Sequence, residues 1–416
     1  MKLIKKIFSS ELGRGALVLL ILVSFGNILS YLFQFSMAWM LGPADYSILA
    51  TITSIIAIFG IPILSLQVII AKHTTKLKVS EKIGSIKGMF KNLTMKMSIV
   101  SFISFALFLF ISYFWLVKYL KIAFPLLVLT GVFIFGAFLY PIAAGILQGT
   151  KRFKELGFSF IVNGLLKLSV GIFLVLMGWR VYGAVFGFIA GILFSFFIIL
   201  ILIKDILKVK ESRGKFSLFS DKSFFSFLAI MIFVLIFNVD VIFAKAFFSA
   251  EIAGKYAVVS LLGKIILFVT MSVGNVMFPI NSERFLRGKK TGGVLKKTFL
   301  LISLICLVVL PFLLLFPEFV IKTLFGSGYL LGGWVLFYVG LAFILLSFIN
   351  IFILNSISKN QFKFVQFIYL IACLIVQIFL FYFFHKTVEQ FSLAFLISTI
   401  ITFIGGIMVL KPQKSF

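Results

Sequence analysis

Three ionisable side chains stand where the sequence is otherwise apolar: Lys167 in "FSFIVNGLLKLSVGIFL", Asp240 in "FVLIFNVDVIFAKAF" and Lys264 in "VVSLLGKIILFV". A buried ammonium is a natural partner for an anion such as a phosphate, and a buried carboxylate for a proton, a sodium ion or a nearby lysine. Amides and hydroxyls share their helical phase. Ser159, Asn163 and Lys167 fall at i, i+4 and i+8, which puts them on one face of a helix. Ser24, Asn27, Tyr31 and Gln34 make a second stripe, and Ser260, Lys264 and Asn275 a third. Each has a plainer reading beside the functional one. Serines, and the amides Asn27, Gln34, Asn163, Asn238 and Asn275, also serve as hydrogen-bonding glue between helices. The lysines resist that reading, because insertion scales put about 2.5–3.5 kcal/mol on a charge at the bilayer centre. For Asp240 the alternatives are an ion pair with Lys264 or Lys245 and an ion-coupling site.

The elements that must position these groups are membrane helices. Hydrophobic residues make up 62% of the 416, only 12% are charged, and the mean hydropathy is +1.22, which excludes an ordinary soluble domain. The apolar runs are continuous rather than alternating, so helices and not a barrel are expected. Twelve spans can be drawn, at about 15–41, 46–71, 97–117, 122–147, 156–177, 181–203, 223–246, 252–279, 298–316, 333–357, 364–384 and 390–410. The first has the basic flank of a signal peptide but is too long for one, and it is expected to be retained. On the returning spans 7 and 8, Asp240 and Lys264 differ in expected depth by roughly 9 Å, a gap a lysine partly covers.

Alternate connections differ sharply in charge. With the N-terminus inside, about 30 of the 39 basic residues fall on the cytoplasmic side and about 7 outside, which predicts a cell membrane protein with both termini cytoplasmic. The same distribution assigns the net charge of +27 to topology and anionic lipid headgroups rather than to nucleic acid. Cys306 and Cys373 lie in apolar runs with no CxxC partner, so neither a disulfide framework nor a metal site is indicated, and no cofactor is expected.

The two halves echo each other. "LGPADYSILATI" after span 1 aligns with "FSAEIAGKYAVVSL" after span 7, Tyr46 on Tyr256 at an offset of 210. "LQGTKRFKELG" before span 5 aligns with "SISKNQFKFVQ" before span 11, Phe153 on Phe362 at an offset of 209. Six spans per repeat is an even number, so the repeat is parallel, with expected lobes 1–210 and 211–416. Gly183, Gly187 and Gly191 in span 6 form a doubled GxxxG, read as close helix packing.

In these motifs, together with "GWRVYGAVFG" and "NVDVIFAKAFFSAEIAGKYAV", the chain resembles polysaccharide flippases of the multidrug/oligosaccharidyl-lipid/polysaccharide exporter (MOP) superfamily over nearly its whole length. The resemblance implies an all-α, V-shaped transporter fold of twelve transmembrane helices in two six-helix lobes. It also implies a flippase that moves an anionic polyprenyl-diphosphate-linked oligosaccharide to the outer leaflet by alternating access. The expected cationic central cavity takes Lys167, Lys264, Asn27, Gln34, Asn163 and Asn275, with Asp240 as the ion-coupling candidate for a proton or sodium. Membrane lipids and glycan-assembly proteins are the expected partners. A drug or cation antiporter of the same superfamily is the alternative, although it would want an acidic cavity. An enzyme is not expected: no GxxxxGK[ST] loop occurs, and the longest outer connection, "PEFVIKTLFGSGYLLGG", is about 17 residues with little acid–base equipment.

Overall fold

The structure is a computed structural model that describes residues 11–212, 221–359 and 362–410. The basic N-terminal flank, the C-terminal tail and the centre of "SISKNQFKFVQ" lie outside the described residues. In chain order the main helices are α1 (Glu11–Phe59), α2 (Ile61–Val79), α3 (Ile83–Ile111), α4 (Phe124–Gly149), α5 (Phe153–Leu174), α6 (Arg180–Leu202), α7 (Asp221–Ile236), α8 (Val239–Phe247), α9 (Ala250–Leu286), α10 (Gly292–Leu315), α11 (Gly333–Ser358), α12 (Phe364–Phe383) and α13 (Val388–Val409). No strand occurs among the described residues. Helices satisfy every backbone polar group within the segment, which hydrocarbon demands.

Ten helical runs among the described residues are long and apolar enough to cross a bilayer. Two of them contain a break that the sequence reading places between spans. Ile21–Phe59 is broken at Gly42, whose φ of 71° suits a residue without a side chain, and Pro43 then opens the next helical stretch. Phe153–Leu202 is broken after the π-turn Val175–Trp179, where Gly178 has φ 90° and Arg180 φ 45°. Dividing the two runs there recovers the twelve-helix count. Span 2 is itself interrupted at Gly60, with a proline at the start of α2, so its helix runs on to Val79 rather than ending near residue 71.

The helix pairings repeat between the two halves. In the first, α2 and α3 pack on α4, α4 packs on α6, and α5 packs on α6. In the second, α9 and α10 pack on α11, α11 packs on α13, and α12 packs on α13. Each pairing has its counterpart six spans later, as a parallel repeat requires.

The chain forms two compact units. One takes in the chain up to Leu41 and Ile55–Leu218; the other takes in Gly42–Ser54 and the chain from Phe219 onward. Within the first unit, small residues bring α5 close to both neighbours. A Cβ on Gly187 would lie 2.7 Å from the Lys167 carbonyl oxygen, and one on Gly191 would lie 2.8 Å from that of Asn163. On the other side of α5, Gly157, Gly164 and Gly171 recur every seven residues and receive Leu22, Leu29 and Phe33 of α1. Within the second unit, Gly254 admits the Pro43 carbonyl oxygen, Tyr46 stands edge-on to Tyr329, and Lys245 donates to Ser47 Oγ at 2.8 Å.

The neighbours of Gly187 are backbone atoms that cannot swing aside, so Gly187→Val should cost about 1–3 kcal/mol and lower the thermal midpoint of the purified protein. Gly292→Ala, where nothing lies within 4 Å of the new methyl, should leave the midpoint unchanged.

Candidate functional site

Asp240 owes its position to an interruption within a span. The helical ladder of α7 ends at Ile236, the chain turns at Phe237 and Asn238, and α8 begins at Val239, so Asp240 lies in the first turn of a new helix. A helix N-terminus favours a carboxylate through its free N–H groups and dipole. The side chain is fully buried, and α9 supplies its partners. Ser260 Oγ donates to Oδ2 at 2.6 Å, Tyr256 OH donates to the same oxygen at 3.3 Å, and Lys264 Nζ stands 4.0 Å from Oδ1. Lys264 also donates to Asn238 Oδ1 at 3.1 Å, while the Asn238 amide nitrogen donates back to the Val234 carbonyl at 2.9 Å. The Asp240–Lys264 contact anticipated across spans 7 and 8 is therefore present.

Lys167 sits in the first unit under different terms. It is 7% exposed, donates to Ser30 Oγ at 2.7 Å, and lies over the rings of Phe33 and Phe188 at 5.6 and 4.9 Å. Ser30 passes its own proton to the Gly26 carbonyl at 3.1 Å. Among the described residues no carboxylate lies within ion-pair distance of Lys167. Its charge is met by a hydroxyl and two aromatic faces, which is a weaker arrangement than that of Lys264.

The remaining sequence candidates divide. Asn163 and Gln34 are half-buried, and Asn27 and Asn275 are exposed. Ser159 belongs to packing: it is fully buried, hydrogen-bonds Tyr140 OH at 3.0 Å and donates to the Leu156 carbonyl at 2.7 Å. The structure thus gathers Asp240, Lys264, Asn238, Ser260 and Tyr256 in one unit, and Lys167 with Ser30 in the other.

One participant escaped sequence reasoning. Gln377 of α12 is 1% exposed and donates at 3.0 Å to the carbonyl of Ile236, the last residue of α7, so it caps the interruption that presents Asp240. A signal existed: at the repeat offset of 210, Gln377 stands on Lys167 and Asp240 on Ser30. Both halves place a polar crossing between the first and fifth spans of the repeat. Other buried pairs, Thr270–Ser347 at 2.8 Å and Asn281–Asn355 at 3.0 Å, join α9 to α11.

On the loops, Arg152 of "GTKRF" binds Glu155 and Asp205, both at 3.0 Å, tying the start of α5 to the segment after α6. Among the described residues no three His, Cys, Asp or Glu side chains are grouped to hold a metal.

Long apolar helices in two matching sets, with polar groups brought together at helix crossings, define an all-helical, multi-pass membrane protein, and solved structures share its fold. The chain superposes on an inward-facing multidrug resistance MATE family transporter of the MOP superfamily with a TM-score of 0.69 at 14% identity, covering 96% of this chain and 100% of the other. It superposes on the lipid II flippase MurJ in an inward closed conformation with a TM-score of 0.65 at 17% identity, covering 95% and 88%. A third similar structure is a MOP superfamily transporter from Pyrococcus furiosus Vc1 described by the reverse polarity of its binding pocket, with a TM-score of 0.56, 15% identity and 98% of each chain covered. No curated protein sequence matches the chain. Residues 12–285 match the polysaccharide biosynthesis protein family, and the chain belongs to it.

Gln377→Leu would leave the Ile236 carbonyl buried without its donor, and should lower stability by about 1–3 kcal/mol. Thermal unfolding of the detergent-purified variant against the parent measures the loss.

Proposed function

We propose that the protein is a flippase of the cell membrane that carries an anionic polyprenyl-diphosphate-linked oligosaccharide from the cytoplasmic to the outer leaflet. The observation that carries this reading is Lys167: a lysine buried inside a membrane span of a polysaccharide biosynthesis family member, met among the described residues by Ser30 and two rings and by no carboxylate. A diphosphate supplies the anionic oxygens that this ammonium lacks, and a charge-assisted contact of that kind is short and strong. Lys264 is the second cation, held by Asn238 with its carboxylate at 4.0 Å.

In this reading Asn27, Gln34, Asn163 and Asn275 offer neutral donors and acceptors to sugar hydroxyls, and the prenyl tail stays in lipid. The lobes 1–210 and 211–416 are the elements that alternate access, with the N- and C-termini on the cytoplasmic face. Partners are the lipid-linked substrate, membrane lipids and the proteins that assemble the glycan. Affinity stays modest so that the substrate leaves, and the membrane potential, negative inside, assists each outward negative charge by about 2.3 kcal/mol per 100 mV.

The second reading, a drug or cation antiporter, draws on the MATE-like fold and on the buried Asp240. The charges disfavour it: Asp240 already faces Lys264, while Lys167 repels a cation.

Lys167→Ala and Lys264→Ala should each reduce export of the lipid-linked glycan, by about tenfold or more if a hydrogen bond to a charged group worth about 1.5–3 kcal/mol is lost. Export is read from surface glycan, with membrane levels of the protein checked in parallel. Full export by both variants would remove the cationic reading.

A further inference from the structure

We infer that the Lys264 ammonium occupies the place of a monovalent cation beside Asp240, so that neither sodium nor a proton binds there in the native protein. The surroundings have the composition of a small oxygen cage. The Ser260 and Tyr256 hydroxyls hold Oδ2 of the buried Asp240 carboxylate, which leaves Oδ1 and the Asn238 amide oxygen as the pair that faces a cation. Hard cations take oxygen ligands of this kind. The position next to Asp240 Oδ1 and Asn238 Oδ1 is filled by Nζ of Lys264, at 4.0 and 3.1 Å.

Oδ1 of Asp240 is buried and accepts no hydrogen bond, which marks it as the oxygen turned toward a charge rather than a donor at contact distance. One carboxylate and one ammonium make the cluster neutral. A further cation would leave a net positive charge in a site shielded from water, with no acidic partner to offset its lost hydration. Among the described residues the other faces offer no second acid: α12 and α13 present Phe381 against Phe243 and Phe391 against Tyr256, Gln377 caps Ile236, and Lys245 on the same helix donates to Ser47.

The consequence for transport rests on the flippase reading: a cycle with a resident ammonium takes its direction from substrate and membrane potential rather than from a sodium or proton gradient. The cation-site claim stands without it and is tested by binding. Full-length protein in detergent is melted in sodium chloride and in choline chloride, at neutral and acidic pH, beside Lys264→Gln and the double variant Asp240→Asn/Lys264→Gln. The native protein should melt equally in both salts. Lys264→Gln should gain thermal stability from Na+ or acid, and the double variant should lose that gain. A sodium-dependent rise in the native protein that disappears in Asp240→Asn would overturn the inference, as would a Lys264→Gln variant indifferent to both. Should Lys264→Gln not survive extraction, radioactive sodium binding to the native protein decides: no saturable site is expected, and one abolished by Asp240→Asn contradicts it. In proteoliposomes, flipping without either gradient agrees with the inference, and flipping that requires one opposes it. If no flipping is detected at all, the flippase reading fails while the melting result still judges the cation site.

Discussion

A charged or polar group carried into hydrocarbon has to find its partners inside the protein, and the arrangement around Asp240 follows from that constraint. Water within the bilayer is not available to solvate a carboxylate, so α9 brings two hydroxyls and an ammonium to it, and the Asn238 amide oxygen holds that ammonium in turn. The interruption between α7 and α8 creates the binding face, and it in turn exposes a backbone carbonyl that must be capped. Gln377 does so from a third helix. One buried carboxyl group thus organises three spans, and removing any member leaves another buried group unsatisfied.

Close helix approach is the second half of the same design. In the first unit, α5 is gripped on both sides by glycine contacts, and the carbonyl oxygen of Lys167 itself lies where a Gly187 side chain would be. The packing of α5 on α6 therefore fixes the height at which the Lys167 side chain leaves the helix, and its contact with α1 places Ser30 within 2.7 Å of the ammonium. Stability and the placing of charge are one problem here, because the residues that let the backbones meet are interleaved with the residue that carries the charge. The two halves solve it with different chemistry at matching positions, Lys167 to Ser30 in one and Gln377 to a carbonyl beside Asp240 in the other.

Much of this was legible in the sequence, since span number, the six-span repeat and the packing role of the span 6 glycines all follow from hydropathy and spacing. The pairing of Asp240 with Lys264 was also within reach, because two helices joined by a short turn run back along each other and depth can be counted in residues. The interruption at Asn238 was not, since apolar residues flank it on both sides and no glycine or proline marks it. Gln377 was missed for the related reason that a single glutamine in an apolar run has no phase partner, and only the repeat offset points to it. Ser159 shares the helical phase of Lys167, yet its hydroxyl is consumed by Tyr140 and its own helix, a distinction that depends on the neighbour and not on spacing. Gly42 and Gly178 did mark chain breaks, where their positive φ angles permit turns that other residues resist.

The most direct measurement of the central claim is the rate at which purified protein, reconstituted into liposomes, flips a fluorescent lipid-linked oligosaccharide while a potassium diffusion potential is imposed. If buried ammonium groups guide an anionic headgroup, flipping should accelerate with a potential negative on the side from which the headgroup departs, and slow when its sign is reversed. A rate indifferent to the potential, with an uncharged lipid-linked sugar carried equally well, would contradict the account.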